Sequence, residues 1–573
     1  MGTAIEPGAA SRHRARKVLA ALGLVAMLGG SLAACGGKKA DDSSSSEDST
    51  DSTSTKAGKS TSVDDDGKTP KRGGTLVYAL GGETPGGYCL PEAQLASGIP
   101  VVSAIYDRLT ILDADANPAP DLAESFSHND AYDQWTFKIR PGITFHDGTK
   151  LDAQVVKDNI DAYRGTYAAR KPLLFTFTFS NIKDVQVVDP MTVRVDTKVP
   201  WIALPNYFAS ARVGIMAKAQ LDDTETCDRK LIGTGPFKFV SWKVNDKMVV
   251  EKNPDYWQEA PDGKPYPYLD KIEFAPMPDE TGRIQAIQTG DVDLITTGLG
   301  SGLKAVNNLQ DEGKVSVNEI EPPLLVGYMM FNAGREPFND ITARRAVAYA
   351  RDTEQINEIT NDGLFELANG PFAPGEMGSL EDTGFPARDV TKAKQYVAEY
   401  KQKHGKDLSF EVHSTTDPQV VSIAQLVQQQ MKEVGIEVRI TQVDQATIIN
   451  DAIAGKFQSS LWTNSHASGD PDGQYVWWYG SSPVNFGRIS DPSMDKLLDD
   501  GRSEPDDAKR TKIYEELNKK FASGLWNLWS FFPVETVVVS PKVHGLVAPE
   551  LPGGEKSYYY DTLGNPVLAA WKE

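Results

Sequence analysis

The chain has 573 residues, 40% of them hydrophobic, and a formal net charge of -20. It is too long for one compact core, so two or three domains are expected. The acidic balance argues against nucleic acid or acidic lipid as a partner, and three cysteines are too few for a disulfide-scaffold protein.

Arg12, Arg14, Arg16 and Lys17 lead into an apolar run from Val18 to Leu28, and Leu32-Ala33-Ala34-Cys35 follows. Basic, then apolar, then small residues is the order of an export signal. The run falls short of the roughly 20 residues that cross a bilayer, and no later stretch is apolar enough to do so. Leu32-Ala33-Ala34-Cys35 resembles the lipobox of bacterial lipoproteins. That resemblance implies removal of residues 1–34, a diacylglycerol on the Cys35 sulfur and an acylated new amine. The alternative is an ordinary signal with a chance cysteine. Several acyl chains anchor firmly where one does not, so the body is expected on the outer face of the cell membrane. Residues 36–72 are mostly Ser, Thr, Asp, Gly and Lys, without an aromatic. Such a segment buries too little apolar surface to offset ordering, so 35–72 is expected to be a flexible tether. With Cys35 committed to lipid, Cys89 and Cys227 either pair in a disulfide or stay as two buried thiols.

Residues 75–80 read as a strand, followed by Gly81-Gly82-Glu83-Thr84-Pro85-Gly86-Gly87. A glycine-rich turn there lets backbone amides approach a ligand, which makes Gly82 and Glu83 candidates, or it is a plain surface turn. It does not fit a dinucleotide fingerprint, because no helical pattern follows at once. Asp113, Asp115, Asn117 and Glu124 have calcium-loop spacing, but Pro118 stands where that loop needs glycine. The stretch reads instead as a hairpin turn. Residues 135–140 alternate as a strand, and Pro141-Gly142 turns the chain toward Ile143–Gly148. His146 beside Asp147 reads as structural, and Asp152 starts a helix through Val155, Val156, Asn159 and Ile160.

Residues 408–412 form a strand, Asp417 caps a helix, Pro418 fits its first turn, Gly435 ends it, and 436–440 return as a strand. This unit belongs in a parallel sheet. Ligands in such sheets sit at the carboxyl ends of strands, here His413, Ser414 and Thr415, beside a helix N-terminus that favours negative groups. Simple capping is the alternative. Further on, Trp462, Asn464, Ser465 and His466 combine an aromatic with small polar groups, as suits a pocket for an organic ligand. Trp477 and Trp478 read as core. There is no His-Glu-x-x-His, Cys-x-x-Cys or Gly-x-Ser-x-Gly, so no enzyme, metal or cofactor is expected.

Five landmarks stand in order. They are Ala123-Glu124-Ser125-Phe126 with Trp135 to Gly148; Ile232 to Phe239; Asn253-Pro254-Asp255-Tyr256-Trp257; Gln288 to Asp293; and Phe331-Asn332 before Pro337-Phe338 and Arg344-Arg345-Ala346-Val347. From about Gly74 to the end, the chain resembles the family 5 extracellular solute-binding proteins of ABC importers, the dipeptide, oligopeptide and nickel binders. The resemblance implies an α/β, two-lobed periplasmic-binding-protein fold, type II, of the large cluster with an extra subdomain and two hinge strands. Lobe I would take 73–108, 226–325 and 531–573, the subdomain 109–225, and lobe II 326–530. The hinge would cross near 322–327 and 529–533. A solute, peptide or peptide-like first, would bind between the lobes of a monomer, and closure would present it to a membrane permease. Sugars, opines or metal chelates are the other ligand classes; a surface sensor or a secreted hydrolase are the competing functions.

One departure bears on the ligand. Peptide binders of the family carry an aspartate three residues after the tryptophan matching Trp462, and it pairs with the peptide amine. Here that position is Ser465. A buried ammonium without a partner is strongly disfavoured, so Asp470, Asp472 or Glu83 serves instead, or the ligand is not an ordinary peptide.

Overall fold

The computed structural model describes residues 67–573, except positions 85, 94–96, 173–174, 299, 321–324, 466–468, 547–548 and 559–564. Cys35, the export signal and His466 lie outside the described residues, as does the tether up to position 66. Arg72, assigned to the tether, is already fastened: its guanidinium forks onto Asp262 at 2.8 and 2.6 Å and lies over the Tyr268 ring.

Three sheets carry the chain. The first has seven strands in the order β12-β19-β11-β1-β10-β9-β8. They are β1 Thr75–Leu80, β8 Phe237–Lys243, β9 Lys247–Lys252, β10 Lys271–Pro276, β11 Leu294–Thr297, β12 Ser316–Glu319 and β19 Thr536–Val539. β1 runs parallel to β10 and β11, while β19 opposes β11 and β12. The second sheet has six strands in the order β14-β18-β13-β17-β15-β16. These are β13 Leu325–Phe331, β14 Glu366–Leu367, β15 Ser409–Ser414, β16 Glu437–Gln442, β17 Ser459–Ser465 and β18 Asn527–Phe532. The third is antiparallel, β4-β5-β7-β6, from β4 Ala123–His128, β5 Gln134–Ile139, β6 Ile182–Asp189 and β7 Thr192–Thr197. A hairpin of β2 Thr110–Leu112 and β3 Pro118–Pro120 precedes it.

Local chemistry explains these elements. In β5, Trp135, Phe137 and Ile139 alternate inward, the period expected of a half-buried strand. Asp113 Oδ1 accepts from the Asp115 and Asn117 amides at 3.0 and 2.8 Å, closing the β2–β3 turn with no ion needed. The helix Pro418–Glu433 starts where Asp417 accepts from the Gln419 and Val420 amides at 2.9 and 3.2 Å. Gly435 follows it at φ +84°, and β15 and β16 flank it as parallel partners.

The first and third sheets share one core. Tyr78, Phe274, Phe137 and Val193 belong to a single apolar cluster. Cys89 and Cys227 are joined by a disulfide and are buried in this same cluster. The second sheet divides its strands by face: Met329 and Phe331 of β13 enter one cluster, while Tyr328 and Met330 enter another with Trp478, Phe521 and Trp529. Trp478 is thus core, 2% exposed, and Trp477 is partly buried against the same cluster.

The chain passes between the first and second sheets at two places: after Glu319 before Leu325, and after Phe532 before Thr536. The second passage follows β18, whose Phe531 and Phe532 are paired with β14.

His146 is a structural group. Its Nε2 lies 2.9 Å from the Gly235 carbonyl, and its Nδ1 accepts from the Gly233 amide at 3.3 Å. Both glycines are required: a Cβ on Gly233 would stand 2.0 Å from the Ile105 carbonyl oxygen, and one on Gly235 2.6 Å from the Ile105 carbonyl carbon. Protonating Nδ1 would set two N–H donors against each other, and burial lowers the imidazole pKa to about 4. The unfolded chain therefore binds a proton below about pH 6.5 that the folded chain refuses until about pH 4. This stability is whole above the upper value and is lost as pH falls through the window. Urea unfolding from pH 7 to 4 should show a loss of up to roughly 3 kcal/mol from this residue, and His146→Gln should lack that increment.

Candidate functional site

The carboxyl ends of β1, β10 and β11 in the first sheet and of β15 and β17 in the second are where a parallel sheet offers a crevice. Two helices bring these ends together. Gly300–Asp311 follows β11, and Pro418–Glu433 follows β15. In their first turns the Ser301 hydroxyl donates to Gln419 Oε1 at 3.2 Å. Nearby, Lys304 pairs with Asp362 at 2.8 Å. Arg283, 7% exposed, lashes the strand ends: Nη1 donates to the Met277 and Pro278 carbonyls at 2.7 and 3.1 Å, and Nε to that of Thr296 at 3.3 Å.

The sequence-predicted residues fall into separate environments. Gly82 sits beside Ser97, whose Oγ would lie 3.1 Å from an added Cβ. Glu83 is taken up by its own sheet, accepting from Trp242 Nε1 at 3.2 Å and the Asn245 amide at 2.7 Å. His413 is buried between Glu411 and Asp451, its ring nitrogens 3.6 and 3.8 Å from their carboxylates, beneath the helix Gln445–Ala454. The Ser414 hydroxyl donates to the Thr415 carbonyl at 2.9 Å, and Thr415 Oγ1 is buried without a partner.

Trp462, Asn464 and Ser465 line up along β17 opposite Tyr328, Val326 and Leu325 of β13. Trp462 is half-buried, edge-on to Phe486 at 5.4 Å, and its Nε1 donates to Asn464 Oδ1 at 2.9 Å. Asn464 is 3% exposed and its Nδ2 has no partner. This trio thus stands next to the first passage between sheets, with an aromatic face and an amide donor unspent.

Asp470 accepts both Arg510 Nη groups at 2.8 and 2.6 Å and caps the following turn through the Asp472 amide at 2.8 Å. Asp472, with no exposed surface, accepts from Arg502 at 2.9 Å and from Trp201 Nε1 at 2.8 Å. The three carboxylates considered for an ammonium, Glu83, Asp470 and Asp472, are therefore all engaged.

Trp201 and Asp472 are 271 residues apart, and their bond is the centre of a seam between the segment after β7 and the second sheet's body. The Tyr207 hydroxyl donates to the Asp472 carbonyl at 2.8 Å. Arg502 lies between rings, its guanidinium carbon 4.7 Å from the centre of Trp201 and 3.5 Å from that of Tyr475. Phe177 stacks on Tyr475 at 6.0 Å. Burial opposes the Arg502 charge, but Asp472 more than offsets it and holds the guanidinium above its ordinary range. Gly469, at φ +62°, lets the loop press against the hairpin: a Cβ there would be 2.5 Å from Leu112 Cδ1. Beside this seam is a cavity of about 230 Å³ that reaches from Asp115 and Ile202 to Phe372, Gln474 and Arg510. Asp470 is the sequence-predicted residue among its described walls. Trp201, Tyr207 and Arg502 escape a sequence reading because nothing local marks them; the Asp470-Pro471-Asp472 turn is the visible half of the contact.

Residues 117–486 match the family described as Bacterial extracellular solute-binding proteins, family 5 Middle. The oligopeptide-binding protein AppA of Bacillus subtilis (strain 168) is 25% identical over 566 residues, 93% of this chain and 96% of that protein. The glutathione-binding protein GsiB of Pectobacterium atrosepticum is 25% identical over 452 residues, 76% of this chain and 84% of that protein. The structure of AppA in complex with a nonapeptide superposes with a TM-score of 0.76, covering 88% of this chain and 100% of that one. AgaA of A. tumefaciens R10, in complex with agropinic acid, has a TM-score of 0.77 at 24% identity, covering 87% of this chain and 99% of that one.

Removing one partner of a buried ion pair leaves an uncompensated charge. Arg502→Leu should therefore destabilise the folded chain by roughly 3–5 kcal/mol. Trp201→Phe, which keeps a six-membered ring but loses the donor and the volume of the pyrrole ring, should cost at least about 1–3 kcal/mol. Denaturant midpoints measured at constant slope check both.

Proposed function

This chain belongs to the bacterial extracellular solute-binding proteins of family 5, and from that premise we propose that it captures a small solute between two lobes and delivers it to an ABC import permease. The observation that carries the reading is the meeting of two parallel-strand edges, through Ser301 and Gln419, in a chain that passes between their sheets twice. Few crossings permit a hinge motion, and a hinge lets a bound solute close the cleft over itself. In this reading, lobe I takes 73–108, 226–325 and 531–573, the subdomain 109–225, and lobe II 326–530. The protein acts as a monomer without chemistry of its own. Leu32-Ala33-Ala34-Cys35 supports lipid attachment at Cys35, which would keep the body on the outer face of the membrane.

The binding site in this reading lies at the strand ends. Trp462 offers an aromatic wall, Asn464 Nδ2 and Thr415 Oγ1 offer buried polar atoms that await partners, and Gly82 offers approachable backbone. Peptides or peptide-like compounds come first, since AppA binds a nonapeptide. A second reading is favoured by a specific observation: Ser465 replaces an acid, and Glu83, Asp470 and Asp472 are engaged. That suits a solute without a free terminal ammonium, such as an opine, a sugar or a metal chelate.

Mass spectrometry of what copurifies with the protein tests the reading. One solute per molecule, released unchanged, is expected; turnover of that solute would make the protein an enzyme instead. Trp462→Ala should weaken solute binding by roughly 1 kcal/mol or more, the scale of a buried aromatic anchor, as read by titration calorimetry. Cys35→Ala should move the protein from the membrane fraction to the soluble fraction.

A further inference from the structure

We propose that the bond between Cys89 and Cys227 is a site of thiol exchange with a fixed polarity: a small external thiol enters at Cys227, and Cys89 is the sulfur that leaves. Arg170 sets the direction. It is 4% exposed, and its Nη1 donates to Cys89 Sγ at 2.9 Å. Sulfur is a weak acceptor for such a donor. Nη2 donates to the Asp223 carbonyl at 2.6 Å, and Nε is buried without a partner. The Glu92 carboxylate stands 3.6 Å from Nη1, is one-third exposed, and also accepts the Lys171 amide at 2.8 Å. A buried cation needs close pairing to offset its lost hydration, and a thiolate on Cys89 would supply it.

The surroundings of the two sulfurs differ in the same sense. Cys89 lies between Tyr88 and Leu90, which are 1% and 0% exposed. Cys227 lies in the turn 224–229, where Thr224, Glu225 and Arg229 are exposed. Among the described residues no donor reaches Cys227 Sγ. Cys227 is itself 4% exposed, so the thiol enters as this turn opens, and surface turns open at a fraction of the cost of global unfolding.

The attacking species is a thiolate. Its sulfur bonds to Cys227 Sγ, the bond between Cys89 and Cys227 breaks, and the electron pair of that bond passes to Cys89 Sγ as a thiolate against Arg170. A better stabilised leaving thiolate departs faster. The reverse step has Cys89 attack Cys227 and expel the thiol, which restores the original bond. Neither step involves the strand ends, so the proposal stands or falls apart from the solute reading.

The full-length protein treated with 2-mercaptoethanol at pH 8 and quenched with N-ethylmaleimide tests this, read by peptide mass mapping. Mercaptoethanol on Cys227 and maleimide on Cys89 are expected. Arg170→Met should slow formation of the adduct about tenfold, whereas Arg170→Lys, which keeps a cation beside the leaving sulfur, should retain most of the rate. Mercaptoethanol on Cys89, or divided evenly between the two cysteines, overturns the proposal. So does an Arg170→Met rate equal to that of the unaltered chain, or an adduct that forms only once the chain is unfolded by denaturant.

Discussion

Two backbone passages join the first and second sheets, and this limit on covalent connection governs how the rest of the molecule is held. Contacts between the two bodies elsewhere are made by side chains that can part. On one flank Ser301 meets Gln419 and Lys304 meets Asp362, beside an apolar cluster that Ala79, Ile295 and Val538 of the first sheet share with Met329 and Phe331 of the second. On the other the contacts are large and buried, with Trp201 and Tyr207 gripping the Asp472 turn. The first and third sheets share one apolar core, in which the bonded Cys89 and Cys227 also lie, so the third sheet travels with the first.

The buried seam illustrates how a charge is tolerated where water is absent. Taking Asp472 and Arg502 out of water costs more than their attraction alone recovers in many proteins. Here each charge has further partners. Asp472 accepts the Trp201 indole as well as the guanidinium, and Arg502 is flanked by two aromatic faces. The indole comes from across the seam, so the pair is fully satisfied when the bodies are together. Asp470 and Arg510 repeat the pattern one turn away, with the fork of the arginine matching the carboxylate. An acid-rich chain thus spends two of its carboxylates on structure in the turn just after β17.

Much of the fold is legible in the sequence because its signals are local. The alternation of Trp135, Phe137 and Ile139, the cap at Asp417 and the glycine after Met431's helix each act within a few residues. The two glycines at 233 and 235 are legible as a landmark, although their reason, contact with the Ile105 backbone, is not. The site is less legible. Glu83 stands in a suggestive turn, but its carboxylate is captured by Trp242, far along the chain. His413 ends a strand at the right edge yet faces sideways, since residues alternate across a sheet and its neighbours at 412 and 414 take the other face. Trp462 and Asn464, on a common face of β17, are the part of the reading whose spacing alone puts them together. Partners such as Trp201 and Asp472 have no signature, because sequence distance carries no information about which turn meets which loop.

The bond between Cys89 and Cys227 spans 138 positions and so brackets nearly the whole of the third sheet's excursion. An external protein meets proteases as well as solutes. A single cut in any exposed turn between the two cysteines would leave two polypeptides still fastened by sulfur and by a common interior. Damage there need not release a fragment until a reductant reaches the bond.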